Sequence, residues 1–367
     1  MATTIRRSAT GPGPTERVLS VLVVNAGSTS LKLHVVFEDE RVEIADDLEA
    51  VRPQEIGAVG HRVVHGGHLV EPALIDDTVR ASIEKLAQIA PLHNAPALGA
   101  IDEARGLFPE HPHVAVFDTA FHVTMPAEAA TYAIPRIWRE DWGIRRYGFH
   151  GLSVQWSAER AAEMLGREGS QRLVVCHLGG GCSVTAVRDG RSVDTTMGFT
   201  PLEGVPMATR SGSVDPGVLL YVQRAHALSV DDVDRALNSE SGLEGLSPGR
   251  DLRQLEAAAS GDEAAQRALD VYTYRIASAV ASMSAALGGL DTVVFTAGVG
   301  EHSPAVRAAV CERLEFLGVR LDAHLNIGST PDADIAAAAS DVRVLVIAAH
   351  EELVAARAVR TLLAART

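Results

Sequence analysis

The sequence predicts an α/β protein that is built from two copies of one structural unit. Short apolar runs alternate with helical segments along the chain, which is typical of an α/β fold rather than a sandwich. An apolar strand, a glycine-containing turn and a second strand occur at residues 18–37 and again at residues 172–187. The two turns lie about 150 residues apart, which is the length of a domain. Hairpins with glycine turns are common, so two unrelated hairpins are the alternative explanation.

The N-terminal half is predicted to begin its first sheet with the hairpin. Residues 18–24 (VLSVLVV) form a mostly apolar, β-branched run that favours a buried strand, and residues 31–37 supply its partner. Further strands are predicted at residues 58–64 and 114–117. Residues 1–17 precede the first strand and are predicted to be a disordered leader.

The C-terminal half repeats the arrangement around the turn Gly179-Gly180-Gly181. Strands are predicted at residues 183–187, 292–296 and 342–348. An Ala-rich helical pattern covers residues 254–287, with an interruption at Ser260-Gly261. A second helix is predicted over residues 303–317, because Pro304 stands at a typical first-turn position. An amphipathic helix over residues 352–365 closes the chain.

Composition excludes several classes of partner. Lys and Arg number 33 against 47 Asp and Glu, which gives a net charge of −14. Such an acidic chain would repel a duplex phosphate backbone, so we expect no nucleic-acid partner. No stretch approaches the roughly 20 apolar residues of a membrane span, and no membrane partner is expected. The three cysteines form no C-x-x-C motif, which predicts a reducing, cytoplasmic location.

Glycine-rich segments follow three of the predicted strands. They are Gly27-Ser28-Thr29-Ser30, Gly179-Gly180-Gly181 and Gly298-Val299-Gly300. Glycine lets the backbone approach a ligand closely, so several N–H groups can point at one anion. The third turn follows an apolar strand, where an open α/β sheet places its ligand. Together the three turns predict a phosphate site, although each alone could be an ordinary tight turn.

Four charged or titratable residues lie in apolar or turn contexts. They are Arg62, Asp118, His150 and Arg210. A charge in or directly after a buried strand is costly unless it is paired or belongs to a site. A structural Arg62–Asp118 salt bridge and a packed core histidine at position 150 are the alternatives.

Nine motifs together resemble the acetate kinase family. They are VLVVNAGSTSLKL, GHRVVHGG, PLHNAPAL, VAVFDTAFH, RRYGFHGLS, CHLGGG, MGFTPLEGVPMATRSGSVDP, FTAGVGEHS and the closing EEL, and they run in order from about residue 18 to the C-terminus. The resemblance implies two duplicated actin-like (ribonuclease H-like) domains around a nucleotide cleft. Residues 18–152, completed by the helix at 350–367, would form the acyl-substrate domain, and residues 153–349 the nucleotide domain. A homodimer is also implied.

The resemblance implies reversible, magnesium-dependent transfer of a phosphoryl group between ATP and acetate, giving acetyl phosphate and ADP. Asp118, Arg62, His150 and Arg210 would be catalytic. The acid would be bound by Arg62 and His93 and by an apolar pocket of Val64, Leu92, Phe149 and Pro201. Asn25 and Glu351 would hold Mg²⁺, with Mn²⁺ able to replace it. The nucleotide would contact Lys32, His177, Leu178, Gly179, Gly180, Gly181, Asp251, Leu252, Arg253, Gly298, Val299, Gly300, Glu301 and His302.

The chain departs from the family pattern at three places. Gly180 and His302 stand where the family has asparagine, and residues 38–52 form a shorter segment than the family carries.

Two other functions stay open. One is a propionate or butyrate kinase of the same fold. The other is a non-catalytic, nucleotide-gated binding module, which would not need the four charged and titratable residues above.

Overall fold

The computed structural model describes residues 20–27, 31–87, 91–166, 168–247, 249 and 251–366, with the side chains of residues 91–93 left out. The predicted leader, residues 1–17, lies outside the described residues. So do the first residues of the predicted first strand and residues 28–30 of the first glycine turn.

Twelve strands in the described ranges form two six-stranded sheets. The first sheet contains β1 (Val21–Ala26), β2 (Leu31–Val36), β3 (Val42–Ala45), β4 (Ala58–Val63), β5 (Ala73–Leu74) and β6 (His113–Phe117). The second contains β7 (Arg172–Leu178), β8 (Cys182–Arg188), β9 (Arg191–Thr195), β10 (Thr292–Thr296), β11 (Ala333–Asp334) and β12 (Arg343–Val346).

The two sheets have the same topology. Their strand orders are β3-β2-β1-β4-β6-β5 and β9-β8-β7-β10-β12-β11. In each order the first three strands pair antiparallel with one another, the next two pairs are parallel, and a short antiparallel strand closes the far edge. The predicted duplication is therefore confirmed, and β1 corresponds to β7.

Helices surround both sheets. They are α1 (Asp77–Leu86), α2 (Pro91–Leu107), α3 (Ala127–Ala130), α4 (Arg136–Glu140), α5 (Gly151–Leu165), α6 (Pro216–His226), α7 (Val230–Ser239), α8 (Gly242–Leu246), α9 (Leu252–Ala258), α10 (Glu263–Leu287), α11 (Ala297–His302), α12 (Pro304–Glu312), α13 (Ala323–Gly328) and α14 (Glu351–Ala364). Because helices cover both faces of the central strands, β1 and β7 are almost wholly apolar and buried.

Two helices exchange between the halves of the chain. The C-terminal helix α14 returns to the first sheet, where Val354 and Val359 pack with Val21 and Val23 of β1. Helix α5 leaves the first half and packs Val154 on the second sheet. The two helices also contact each other. The junction between the domains is therefore a pair of helices whose apolar faces are shared.

Most predicted elements are confirmed with small shifts of their ends. The interruption at Ser260-Gly261 separates α9 from α10, and Asp262 caps α10 by accepting hydrogen bonds from two backbone N–H groups. Ser303 caps α12 with Pro304 in its first turn. The predicted helix over 303–317 ends at Glu312, and residues Glu315–Leu317 form a separate 3₁₀ turn.

In the described part of the chain, no helix is long and apolar enough to cross a membrane.

The docking of α14 on the first sheet can be tested at Gly60 in β4. A Cβ there would lie 2.8 Å from Cγ2 of Val359, and overpacking of this kind costs about 1–3 kcal/mol. We expect Gly60→Ala to lower the free energy of unfolding in urea, and Gly60→Ala with Val359→Ala to cost less than the sum of the single changes.

Gly99 in α2 provides the matched control. A Cβ at Gly99 meets no heavy atom within 4 Å, so Gly99→Ala should be neutral or stabilising by up to about 1 kcal/mol. Additive effects of Gly60→Ala and Val359→Ala would contradict the docking of α14 against β4.

Candidate active site

Three predicted site residues lie in one row across the first sheet. Asn25 of β1 pairs in register with Lys32 of β2 on one side and with Arg62 of β4 on the other. Residues in register on adjacent strands face the same side of a sheet. The row lies at the carboxyl ends of β1 and β4, where an open α/β sheet binds its ligand.

A buried ion pair joins Arg62 to Asp118. Arg62 donates from Nε to Asp118 Oδ1 at 2.9 Å and from Nη2 to Oδ2 at 2.5 Å, which is a bidentate arrangement. The side chain of Asp118 is fully buried. Asp118 directly follows β6, the neighbour of β4, so the sheet itself places the two charges together. The salt bridge given above as the alternative to a catalytic site therefore exists, and it lies at the strand ends, where an open α/β sheet binds its ligand.

Glu351 approaches the same guanidinium from the C-terminal helix. Its Oε2 lies 3.4 Å from Arg62 Nε and accepts from Asn25 Nδ2 at 3.3 Å. Arg62 Nη1 in turn donates to Asn25 Oδ1 at 3.0 Å. Glu351 is the first residue of α14, where the helix dipole favours a negative charge.

Burial and charge compete at this cluster. Burial, together with the neighbouring charge of Glu351, raises the pKa of Asp118 to about 6 despite the opposing charge of Arg62. Although burial opposes its charge, the two carboxylates raise the pKa of Arg62 above its ordinary value. Burial also acts on Glu351, but Arg62 and His177 together hold the pKa of Glu351 below its usual range. At neutral pH the cluster therefore holds two carboxylates and one guanidinium.

Two predicted histidines stack on each other at the junction of the halves. The ring centroids of His150 and His177 are 4.0 Å apart. His150 Nδ1 lies 3.1 Å from Ser183 Oγ, and His177 Nδ1 lies 2.8 Å from Ser153 Oγ. Burial, the neighbouring His177 and two arginines lower the pKa of His150 well below its ordinary value. Burial lowers the pKa of His177 to about 4, so both rings are neutral at pH 7.

The guanidinium of Arg210 comes from the second half. Its Nη1 donates to the carbonyl of Pro201 at 3.3 Å. A Cβ built at Gly181 would lie 3.3 Å from His150 Nε2 and 3.5 Å from Arg210 Nη1. The bare backbone of Gly181 therefore borders a point that a ring nitrogen and a guanidinium both reach.

Three residues of the predicted apolar pocket are buried. Val64 and Phe149 belong to the same buried cluster, and Pro201 is buried, with its carbonyl accepting a hydrogen bond from Arg210. The side chains of Leu92 and His93 lie outside the described residues, so their predicted roles stay predictions.

Most of the predicted nucleotide residues line one cavity of about 470 Å³. Glycine backbone, an exposed Asp–Arg ion pair and the short helix α11 form its walls. The predicted residues in the lining are Gly179, Gly180, Asp251, Leu252, Arg253, Gly298, Val299 and His302. A Cβ at Gly180 meets no atom within 4 Å, so the departure from asparagine leaves open space there.

Other predicted nucleotide residues lie elsewhere. Gly300 is buried against Phe295, and Glu301 Oε1 accepts from the Ala349 N–H at 3.0 Å. His177, Leu178 and Gly181 lie beside the cavity, toward His150. The prediction of a glycine turn at 298–300 was wrong, because these residues form the first turns of α11.

Sequence reasoning missed five residues of the cavity lining. They are Ala208, Leu243, Glu256, Tyr272 and Ser303. Ser303 donates a hydrogen bond to Glu256 while it caps α12. The serine before Pro304 signalled the cap, but no pattern in the sequence distinguishes Glu256 from an ordinary surface residue of α9.

The oxygen donors of the site fit a divalent ion only with help from a ligand. Among the described residues, no group of three or more His, Cys, Asp or Glu side chains is arranged to hold a metal ion. Asn25 and Glu351 offer amide and carboxylate oxygens, the donor type that Mg²⁺ prefers, and Mg²⁺ in such sites takes further oxygens from phosphates and water.

The described residues combine a buried cluster of Arg62, Asp118 and Glu351 with a cavity of about 470 Å³, and comparison with known proteins identifies the family. The model of the Acetokinase family matches residues 42–357. The chain belongs to the acetokinase family. It is 51% identical over 330 residues to the acetate kinase of Gloeobacter violaceus, an alignment that covers 89% of this chain and 80% of the relative.

Two solved structures are similar to this acetokinase-family chain. A propionate kinase from Francisella tularensis superposes with a TM-score of 0.86 at 35% identity, covering 92% of this chain and 98% of that one. The acetate kinase of Porphyromonas gingivalis superposes with a TM-score of 0.83 at 34% identity, and the match covers 94% of this chain and 99% of that one. The acetokinase-family chain is thus a kinase with the two-domain actin-like fold, and both predictions are confirmed.

The raised pKa of Asp118 predicts a pH-dependent difference in stability between the wild type and Asp118→Asn. A carboxyl whose pKa is about 6 in the native state takes up a proton there before it does in the unfolded chain. Its contribution to the free energy of unfolding therefore increases as the pH falls through 6. Asparagine cannot titrate, so the stability advantage of the wild type should widen by about 1 kcal/mol between pH 7 and pH 5.

Asp102→Asn is the control for this measurement. Hydrogen bonds from Arg80 lower the pKa of Asp102. The difference in the free energy of unfolding between the wild type and Asp102→Asn should therefore stay constant from pH 7 to pH 5. Urea titrations at pH 7, 6 and 5 provide the comparison. If the stability difference between the wild type and Asp118→Asn does not change with pH, the charge of Arg62 outweighs burial and the pKa of Asp118 is not raised.

Proposed function

We propose that this chain catalyses reversible phosphoryl transfer between ATP and acetate, giving ADP and acetyl phosphate. One observation carries the proposal. Gly179 and Gly180 line the cavity, and the next residue, Gly181, is approached by His150 Nε2 and Arg210 Nη1. The sequence identity to relatives that are acetate kinases supports the choice of acid.

The two arginines supply the charge that the reaction needs. A carboxylate attacking a phosphate brings two anions together, so neutralisation and positioning account for most of the catalysis. Arg62, fixed by Asp118 and Asn25, would hold the acid carboxylate. Arg210 would meet the transferring phosphoryl group on the other side.

A neutral His150 suits the role of hydrogen-bond donor. If the Ser183 hydroxyl donates to Nδ1, the remaining proton of the neutral ring is on Nε2, the atom that faces the Gly181 side. Nε2–H would then donate to an equatorial oxygen of the phosphoryl group. The acetate oxygen forms its bond to the γ-phosphorus as the bond to the bridging oxygen breaks, and ADP leaves with that oxygen.

The nucleotide would occupy the cavity with its phosphates toward Gly181. Backbone N–H groups of a glycine turn and of a helix start are suited to phosphate. The Asp251–Arg253 pair at 2.9 Å also lines the cavity, and the adenosine would bind beside it. Asn25 and Glu351 would hold Mg²⁺, which, when bound, neutralises charge on the phosphate oxygens.

Three further proposals follow from the family and the described residues. One domain would comprise residues 18–152 together with 350–367, and the other would comprise residues 153–349. The chain would form a homodimer through α6, none of whose residues is buried and whose Val218, Leu220 and Tyr221 are about half exposed. The three cysteines are free and buried, which suits the cytoplasm.

A hydroxylamine trap for acyl phosphate, run with ATP, Mg²⁺ and acids of one to four carbons, tests the function directly. We expect acetyl hydroxamate from the wild type. Arg210→Ala should lower kcat by roughly two to three orders of magnitude, because one donor aimed at developing charge is removed. Arg62→Ala should do the same but also destabilise the protein, since it leaves Asp118 buried and unpaired.

Arg235→Ala is the control, because Arg235 pairs with Asp232 and Glu240 on the surface of the second half and should keep wild-type turnover. Bound ATP without hydroxamate from any of the acids would instead support the non-catalytic binding module. Wild-type turnover in both Arg62→Ala and Arg210→Ala would remove the assignment of the site.

Propionate is the second candidate acid, because the similar Francisella structure is a propionate kinase. Val64 and Phe149 pack in one buried cluster, so an extra methylene must displace a close wall. One methylene in an apolar pocket is worth roughly 10–200-fold in kcat/KM, and acetate should be preferred. Val64→Ala should shift the preference toward propionate, mainly through KM.

Val63→Ala is the matched control. Val63 precedes Val64 and packs into a separate core cluster with Phe117, so its truncation should cost stability without changing the ratio of kcat/KM for acetate and propionate. A wild type that prefers butyrate, or an unchanged ratio in Val64→Ala, would show that Val64 does not limit the pocket.

A further inference from the structure

Three side chains to which no role has been assigned connect the segment before His150 with the segment around Pro201. Tyr132 and Arg146 come from the first half of the chain, and Glu203 comes from the second. Glu203 accepts from the Tyr132 hydroxyl on Oε2 and from Arg146 Nη2 on Oε1, the latter at 2.8 Å. The Tyr132 oxygen also accepts from the Phe199 N–H at 3.0 Å.

Arg146 holds the backbone of the same segment. Its Nη1 lies 3.0–3.1 Å from three consecutive carbonyl oxygens, those of Thr195, Thr196 and Met197. Beside it, the N–H groups of Tyr147 and Gly148 donate to the Gly198 carbonyl at 3.0 and 3.3 Å. The chain before His150 is therefore bonded directly to the chain before Pro201.

The contacts leave no free space around Gly198. A Cβ there would lie 1.7 Å from Glu203 Oε2 and 2.0 Å from the Tyr132 oxygen, so both polar side chains pack on the bare backbone. Burial and the neighbouring Glu203 raise the pKa of Tyr132 above its ordinary value. The phenol therefore stays protonated and keeps its donor.

Each end of this connection leads to a residue of the proposed site. Arg146 precedes Phe149 by three residues and His150 by four. Glu203 follows Pro201 by two residues, and the Pro201 carbonyl accepts from Arg210 Nη1. A shift of the 198–203 segment would move the Pro201 wall and the guanidinium together.

We propose that Tyr132, Arg146 and Glu203 are positioning residues that set the distance between the Phe149 and Pro201 walls, and so determine acid size selection and the placement of Arg210. The inference rests on the proposed function, because it concerns the acid side of that site. It assigns no contact with the reacting atoms to any of the three. Apart from Ala208, the residues that line the nucleotide cavity lie outside residues 132–150 and 198–210, so ATP binding should depend little on the three residues.

The test is a comparison of KM values in Tyr132→Phe and Glu203→Gln. Each change removes one hydroxyl or one charge and conserves the shape of the side chain. We expect KM for acetate to rise about tenfold, KM for ATP to stay within about twofold, and the ratio of kcat/KM for acetate and propionate to move toward unity. The double variant should have a KM for acetate no higher than that of the more impaired single variant, because the residues act as one unit.

Tyr147→Phe is the matched control. Its hydroxyl donates to the Gly143 carbonyl at an exposed position of the same segment, so its loss should leave both KM values unchanged. Proportional increases of KM for acetate and ATP, or no change in either, would overturn the inference while wild-type hydroxamate formation keeps the proposed function. Absence of hydroxamate from the wild type would overturn both. Should Glu203→Gln fail to fold, Tyr132→Phe alone decides, since it deletes a single oxygen.

Discussion

The arrangement of the site depends on the buried ion pair between Arg62 and Asp118. Removing two charges from water costs several kcal/mol for each ion, and the bidentate geometry together with Asn25 and Glu351 offsets that cost. The pair can form only because β4 and β6 are parallel neighbours whose ends coincide. An excess of negative charge remains around one guanidinium, so the cluster is suited to take up a further cation beside a bound anion.

Duplication of the fold gives the second half an equivalent row of residues. Lys32, Asn25 and Arg62 lie in register across the first sheet, and Ser183, His177 and Thr296 lie in register across the second. The first row carries the charges and the second is neutral. Since β1 corresponds to β7, Asn25 and His177 hold equivalent positions, with Lys32 and Arg62 beside Asn25 in one domain and uncharged Ser183 and Thr296 beside His177 in the other. The two halves therefore share a scaffold and divide the chemistry.

Much of this could be predicted because the signals were local. Apolar β-branched runs located the strands, and a charge directly after a strand, as at Asp118, marked the site. Glycine alone could not distinguish a turn from a helix start, so Gly298–Gly300 was misassigned. Glu256 and Glu203 were missed because their partners, Ser303 and Tyr132, are 47 and 71 residues away. Only the tertiary fold brings such pairs together.

The contact between the domains explains why the reacting groups meet where they do. Helices α5 and α14 pack on opposite sheets and against each other, and each begins at a site residue: His150 precedes Gly151, and Glu351 opens α14. His150 has the left-handed backbone conformation, with φ 58°, which turns the chain sharply into α5. The N-terminal ends of both helices carry partial positive charge. A transferring phosphoryl group beside His150 would therefore lie at the start of α5, with Arg62 and Arg210 near the same ring.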